Sequence, residues 1–216
     1  MLGHSQKSLY VAVGASDSVG VGARRRRREA WPAVLHRDAV PAMRFINLAA
    51  SGATVADALR RQMGRAVALR PSLVTVWLAV NDLAAGVAVG DYEHRLGELV
   101  QRLGGGGSTR VLVANIPYLD RLPVYLPWRH VIPPEMLNAA VDAYNDAIEG
   151  VTRREEAGLV DLHAVARAAR EAGTEAALIS GDGFHPSSAG HRVIAQAFAA
   201  ALGVEMAEWV ASPEAS

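Results

Sequence analysis

Four short segments of the chain carry side chains whose types and spacing suit chemistry. In Asp182-Gly183-Phe184-His185-Pro186 an aspartate and a histidine stand three residues apart. On a tight turn that spacing lets the carboxylate reach the imidazole Nδ1, which fixes the tautomer and leaves Nε2 as a base. A capping aspartate beside a structural histidine leaves the same trace. In Gly14-Ala15-Ser16-Asp17-Ser18-Val19-Gly20 a serine follows closely on an apolar run, where neighbouring backbone can support an exposed nucleophile. An ordinary Gly/Ser turn reads the same way. In Asn47-Leu48-Ala49-Ala50-Ser51-Gly52, Gly52 lets a backbone N–H come close to a ligand, unless the segment is a plain turn. In Ala79-Val80-Asn81-Asp82, Asn81 can donate an amide N–H or cap a helix.

Each segment follows, or falls after, an element that must hold it. Apolar, β-branched-rich runs occur at 9–13, 44–48, 73–78, 111–113 and 159–160. Each reads as a parallel strand buried on both faces. Helical spacing lies between them. Val55, Leu59, Met63 and Val67 recur every four residues. Leu96, Leu99, Val100 and Leu103 form a second stripe, with Asp91 as N-cap and Gly104 as stop. Leu137, Val141, Tyr144, Ile148 and Val151 follow Pro133-Pro134, and Val193, Ile194, Ala197, Phe198 and Leu202 make the last stripe. This alternation predicts an α/β fold, a parallel sheet with helices on both faces. Two segments stand apart. Arg24 to Arg28 is a run of five arginines, either a solvated loop or helix start or a contact for an anion. Residues 116–134 hold five prolines with Tyr118, Tyr125 and Trp128, and so long a loop is usually functional or disordered. Gly104 to Gly107 reads as a flexible connection.

Composition narrows the function. The 216 residues, 50% hydrophobic and 20% charged, exclude general disorder and suit one domain over 1–216 with a core at about 8–202. The 22 basic and 22 acidic residues cancel, which argues against nucleic acid as a partner. The absence of cysteine excludes disulfides, thiol nucleophiles and Cys-ligated zinc. The longest apolar stretch, Leu73 to Val80, is far short of the ~20 residues of an integral membrane segment. The residues before the first apolar run show no signal-peptide pattern, so the expected localisation is cytoplasmic, and secretion would need a removed leader. None of the seven histidines forms a metal-ligand spacing, so no metal is expected. Gly20-Val21-Gly22 follows the first strand, but the third position of a dinucleotide fingerprint is Arg25 and no P-loop lysine follows.

Taken together, Ser16, Gly52, Asn81 and His185 occur in an order that resembles the SGNH hydrolases, also called GDSL esterases/lipases, over about residues 8–202. Ser16, with Gly20 four residues on, matches the family nucleophile block; Gly52 matches the block-two glycine and Asn81 the block-three asparagine. Asp182 and His185 match the block-five DxxH, and residues 182–191 are the nearest single match. The resemblance implies a three-layer α/β/α, flavodoxin-like fold whose five parallel strands run in the order 2-1-3-4-5. In such a sheet ligands bind beyond the strand C-termini, where the order reverses beside strand 1.

The resemblance also implies a mechanism: ester hydrolysis through an acyl-enzyme, without metal or cofactor. His185 would take the Ser16 proton, Asp182 would orient His185, and the Ser16 and Gly52 N–H groups with the Asn81 amide would form the oxyanion hole. Two residues depart from the pattern. Ala15 stands where the family has Asp, and Ser18, four residues before Gly22, also fits the nucleophile spacing; Ser16 is preferred because Gly14 abuts the strand end. Ala79 stands where block three has Gly. Small-molecule esters (short acyl, lipid, aryl or carbohydrate) are the expected substrates. A thioesterase or lysophospholipase with the same site, or a catalytically silent binding protein, are the alternatives. Tyr118, Tyr125 and Trp128 are expected to line one wall of the substrate pocket, although their loop can also simply pack on the helix after Pro134.

Overall fold

A computed structural model describes residues 8–206; His4, Lys7 and the N-terminal residues on which the leader expectation rests lie outside that range. Five strands, β1 (Leu9–Gly14), β2 (Arg44–Asn47), β3 (Leu73–Trp77), β4 (Arg110–Ala114) and β5 (Gly158–Val160), pair in parallel in the order β2-β1-β3-β4-β5. This is the order that the resemblance implies. After β1 come α1 (Ser16–Val19), α2 (Arg26–Glu29) and α3 (Trp31–Asp38); after β2, α4 (Val55–Arg61) and α5 (Met63–Ala68). After β3 come α6 (Val80–Ala84) and α7 (Val89–Gly104); after β4, α8 (Pro134–Arg154). The helices α9 (Leu162–Glu171) and α10 (Ser188–Ala201) complete the described chain.

The sheet is apolar on both faces because alternate residues of its strands feed separate cores. Val11, Val13, Val74, Val76 and Val113 pack against α4, α5, α7 and α8 residues such as Leu96, Leu99 and Ile148. Tyr10, Ala12, Leu112 and Ala114 face the other way, toward Trp31, Ile194 and Phe198. Trp31 stacks on Phe198 with ring centroids 4.2 Å apart, which ties α3 to α10. The edge strand β2 departs from the two-sided burial expected of it: Arg44 and Asn47 are exposed, since among the described residues no further strand covers that edge.

Two local expectations are corrected. The four-residue repeat Val55, Leu59, Met63, Val67 is two helices rather than one, interrupted at Gln62. Gln62 is buried because its amide spans β1: Oε1 accepts the Gly14 N–H at 3.0 Å and Nε2 donates to the Gly14 carbonyl at 3.0 Å. Asp91 lies in the first turn of α7, whose N-cap is Ala88. Gly105–Gly107 form a 3-10 turn after α7. Arg24 to Arg28 are exposed and run into the short helix α2.

Two contacts hold the site-bearing loops to this frame. Asp82, buried at the start of α6, accepts the Val55 N–H on both oxygens, at 3.0 and 3.2 Å, and so anchors the N-terminus of α4. Gly22 takes φ +89°, and a Cβ there would overlap the Pro186 carbonyl oxygen and press on His185 Cβ. Gly22→Ala therefore combines a left-handed backbone penalty with a steric clash. We expect it to lower unfolding free energy by about 2–4 kcal/mol in urea titrations. A loss below 0.5 kcal/mol would mean that the two loops are not held at this distance.

Burial pushes the Asp82 carboxyl up from 3.8 to about 6, with the Val55 N–H opposing. The folded chain therefore holds the Asp82 proton after the unfolded chain has released it. Its contribution to stability is complete below about pH 4 and is lost as the pH rises through about 6. In Asp82→Asn, the fall in stability between pH 4 and pH 7, from urea midpoints, is expected to shrink by about 1–3 kcal/mol. An unchanged fall would show that Asp82 ionises as it does in the unfolded chain.

Candidate active site

Ser16 opens α1 immediately beyond β1. Gly14 makes this turn possible, because a Cβ there would overlap the Ser18 hydroxyl. Gly20, at φ +93°, closes α1 by donating its N–H to Ser16 and Asp17 carbonyls. The turn is pinned from three sides: by Gln62 at Gly14, by the Ala50 N–H on the Gly14 carbonyl at 3.1 Å, and by the Asn47 amide on the Ser18 carbonyl at 2.7 Å. Ser18 itself is fully buried and its hydroxyl has no hydrogen-bond partner, whereas Ser16 retains 9% exposure.

Asp182 and His185 lie on a turn closed by the Ser180 N–H on the His185 carbonyl at 2.8 Å and by the Ile179–Pro186 bridge. His185 Nδ1 stands 2.7 Å from Asp182 Oδ2, and its Nε2 stands 3.0 Å from Ser16 Oγ, across 169 residues of chain. A carboxylate only accepts, so Nδ1 donates to it and Nε2 is left to accept the serine O–H. Asp182 Oδ1 accepts three further bonds, from Ser180 Oγ at 2.7 Å and from the Phe184 and His185 N–H groups at 2.9 Å. Burial opposes the charge on Asp182, but these bonds outweigh it and hold the carboxyl well below the ordinary range. The arrangement can take a proton from Ser16 and keep the resulting imidazolium paired.

Gly52 and Asn81 arrive at the same sheet edge, after β2 and β3. Gly52 has φ +76° and nothing within 4 Å of where a Cβ would stand, so its backbone is open to a ligand. One Asn81 amide N–H donates to the Ala53 carbonyl at 2.9 Å, which joins the two loops and leaves the second N–H for another acceptor.

The three aromatic residues of the loop after β4 are placed differently from one another. Tyr118 lines a cavity, its ring 3.9 Å from that of His163 and 4.3 Å below the Arg170 guanidinium. Tyr125 is buried and donates its hydroxyl to the Ile132 carbonyl at 2.6 Å, buckling the loop; Trp128 is 59% exposed, and neither lines that cavity. The loop also grips the turn of Asp182 and His185, with the Val124 N–H on the Gly183 carbonyl at 3.2 Å. The cavity, about 110 Å³, is largely apolar and lies among Trp77, Tyr118, Leu122, Phe184 and Ile194, with Asp17 in its wall. Burial pushes the Asp17 carboxyl up to about 6, against the attraction of His185. Gln62, Ser180 and Asp17 escaped the sequence reading; only Asp17, adjacent to Ser16, carries a local signal.

His191 and His163 have structural partners. His191 is fully buried, accepts the Trp31 N–H on Nδ1 at 3.3 Å and donates to the Val21 carbonyl from Nε2 at 3.0 Å. His163 Nδ1 lies 3.1 Å from the Ile116 carbonyl. Among the described residues, no group of three or more His, Asp or Glu side chains is placed to hold a metal ion.

Similar proteins share this frame. An acetylxylan esterase of Geobacillus stearothermophilus is 27% identical over 180 residues, covering 79% of this chain and 75% of its own. The crystal structure of LAE5, an alpha/beta hydrolase enzyme from the metagenome of Lake Arreo, Spain, superposes with a TM-score of 0.72 at 26% identity, covering 91% of this chain and 95% of its own. The crystal structure of Axe2, an acetylxylan esterase from the same Geobacillus species, shares the fold with a TM-score of 0.68 at 22% identity, over 92% of this chain and 95% of its own. Residues 12–193 match the family model of the GDSL-like lipases/acylhydrolases, so the chain belongs to that family and is a carboxylic ester hydrolase.

Proposed function

We propose that the chain cleaves short-acyl carboxylic esters through an acyl-enzyme on Ser16. The unbroken line from Ser16 Oγ through the His185 ring to Asp182, with links of 3.0 and 2.7 Å, is the observation that supports this most. His185 Nε2 takes the hydroxyl proton as Oγ attacks the ester carbonyl carbon. The tetrahedral oxyanion is held by the Ser16 and Gly52 N–H groups and the free Asn81 N–H. Collapse expels the alcohol, which takes the proton back from His185. Water then attacks the acyl-enzyme, giving its proton to His185, and the carboxylic acid leaves as Ser16 regains its hydrogen. Asp182 keeps His185 in the required tautomer throughout.

The apolar cavity lined by Asp17, Phe184 and Pro186, the sequence neighbours of Ser16 and His185, is our candidate for the acyl pocket, with Tyr118 in its wall, and its small volume favours short acyl groups. The acetylxylan esterase relative makes acetylated carbohydrate a reasonable substrate class, with a sugar hydroxyl as the leaving group. Ser18, the other serine that fits the spacing, is disfavoured by its complete burial.

Incubation with a p-nitrophenyl phosphonate should label Ser16 alone by peptide mapping, and Ser16→Ala should abolish p-nitrophenyl acetate turnover. Label on Ser18 with Ser16 untouched would overturn the assignment. The Asn81 amide gains most as charge develops on the oxyanion, so Asn81→Ala should lower kcat by about 10²–10³ with little change in KM. A variant with near-normal kcat would remove Asn81 from the oxyanion hole.

A further inference from the structure

Asp17 is an ionisable side chain in the wall of a largely apolar cavity, and the mechanism above makes no use of it. It directly follows Ser16 and shares the cavity wall with Phe184 and Pro186, the two sequence neighbours of His185, so an acyl group on Ser16 that enters this cavity meets the Asp17 carboxyl in its wall. Trp77, Tyr118 and Phe184 supply aromatic surface in the same cavity. The other carboxylate in the lining, Glu175, is already paired, with Arg170 donating at 2.8 and 3.2 Å. Among the described residues Asp17 forms no ion pair. Its own backbone N–H donates to it, and the charged groups acting on it are His185, which attracts its anionic form, and Asp182, which repels it.

A partly desolvated carboxylate in such surroundings costs free energy until it meets a cation or a hydrogen-bond donor. A hydrocarbon acyl chain supplies neither. An ammonium group supplies both, and aromatic faces favour it further.

We propose that Asp17 is a specificity-determining residue that selects acyl groups carrying a positive charge over neutral acyl groups of the same shape. The proposal rests on the reading that Ser16 is acylated with the acyl group in this cavity. A cationic acyl group would place its charge against the Asp17 carboxylate, while the rest of the group contacts the apolar wall. The neutral isostere gains the wall contacts but leaves the carboxylate with no cation paired to it.

The test uses two pairs of ethyl esters of matched shape, with the charge at two distances from the carbonyl. One pair is N,N-dimethylglycinate and 3-methylbutyrate; the other is 4-(trimethylammonio)butyrate and 5,5-dimethylhexanoate. Because the ammonium also changes the reactivity of the carbonyl, the informative quantity is the cationic-to-neutral ratio of kcat/KM in the wild-type chain divided by that in Asp17→Asn. That quotient cancels intrinsic reactivity. An ion pair in a partly buried site predicts a quotient of about ten or more for at least one pair. A quotient near one for both pairs overturns the proposal.

A second measurement does not depend on turnover or on the folding of the Asp17 variant. Calorimetric binding of the corresponding amides to Ser16→Ala should favour the cationic member of one pair by about tenfold. Equal binding within each pair overturns the proposal even if all four esters are cleaved. Preferential cationic binding with no ester cleaved by the wild-type chain would uphold selection of cationic groups in the cavity and overturn instead the reading that Ser16 is acylated with the acyl group there.

Discussion

The close approach of two backbones, permitted by a glycine, sets the rest of the site. At Gly22 the loop after β1 lies so near Pro186 and His185 that no side chain fits between them. This contact brings the turn carrying Asp182 and His185 down onto the turn carrying Ser16. The 3.0 Å separation of His185 Nε2 and Ser16 Oγ follows from it. Neither turn could set that distance alone, since each is rigid only internally. Gly190 extends the same close fit at the start of α10, where a Cβ would overlap the Leu178 carbonyl oxygen.

Around this contact, polar side chains act as clamps between loops instead of as surface groups. Gln62 grips both backbone groups of Gly14, Asn47 holds the Ser18 carbonyl, and Asn81 holds the Ala53 carbonyl. Asn145 does the same after β4, accepting the Ile116 N–H at 2.8 Å and donating to its carbonyl at 3.0 Å. Loops at the end of a parallel sheet have no ladder partner for their backbone groups, and amide side chains can satisfy a donor and an acceptor together. The result is a set of loops fixed to one another at the sheet edge where the strand order reverses.

The electrostatics of the site are uneven in a way that matters for chemistry. Asp182 keeps its charge because four hydrogen bonds converge on it. Asp17, in the wall of the apolar cavity, has its charge disfavoured by burial. Two carboxylates flank one histidine, one stabilised as an anion and the other not. The same contrast of environments lets one be read as an orienting group and the other as a feature of substrate selection.

Much of this was legible in the chain itself. The strand count, the parallel sheet and the positions of Ser16, Gly52, Asn81, Asp182 and His185 at strand ends and on the last turn follow from periodicities and spacings that act over a few residues. Local backbone geometry enforces such spacings, so sequence carries them. The tertiary structure alone decided the break at Gln62, the exposure of β2, the burial of Ser18 and the different fates of Tyr118, Tyr125 and Trp128. Gln62 reads as a polar position on a continuous helix until β1 is seen to lie beneath it. Tyr125 is one more aromatic of a proline-rich loop until its hydroxyl is found on Ile132. Each of these depends on which distant segment packs alongside, and no periodicity within a segment encodes the shape of its neighbour.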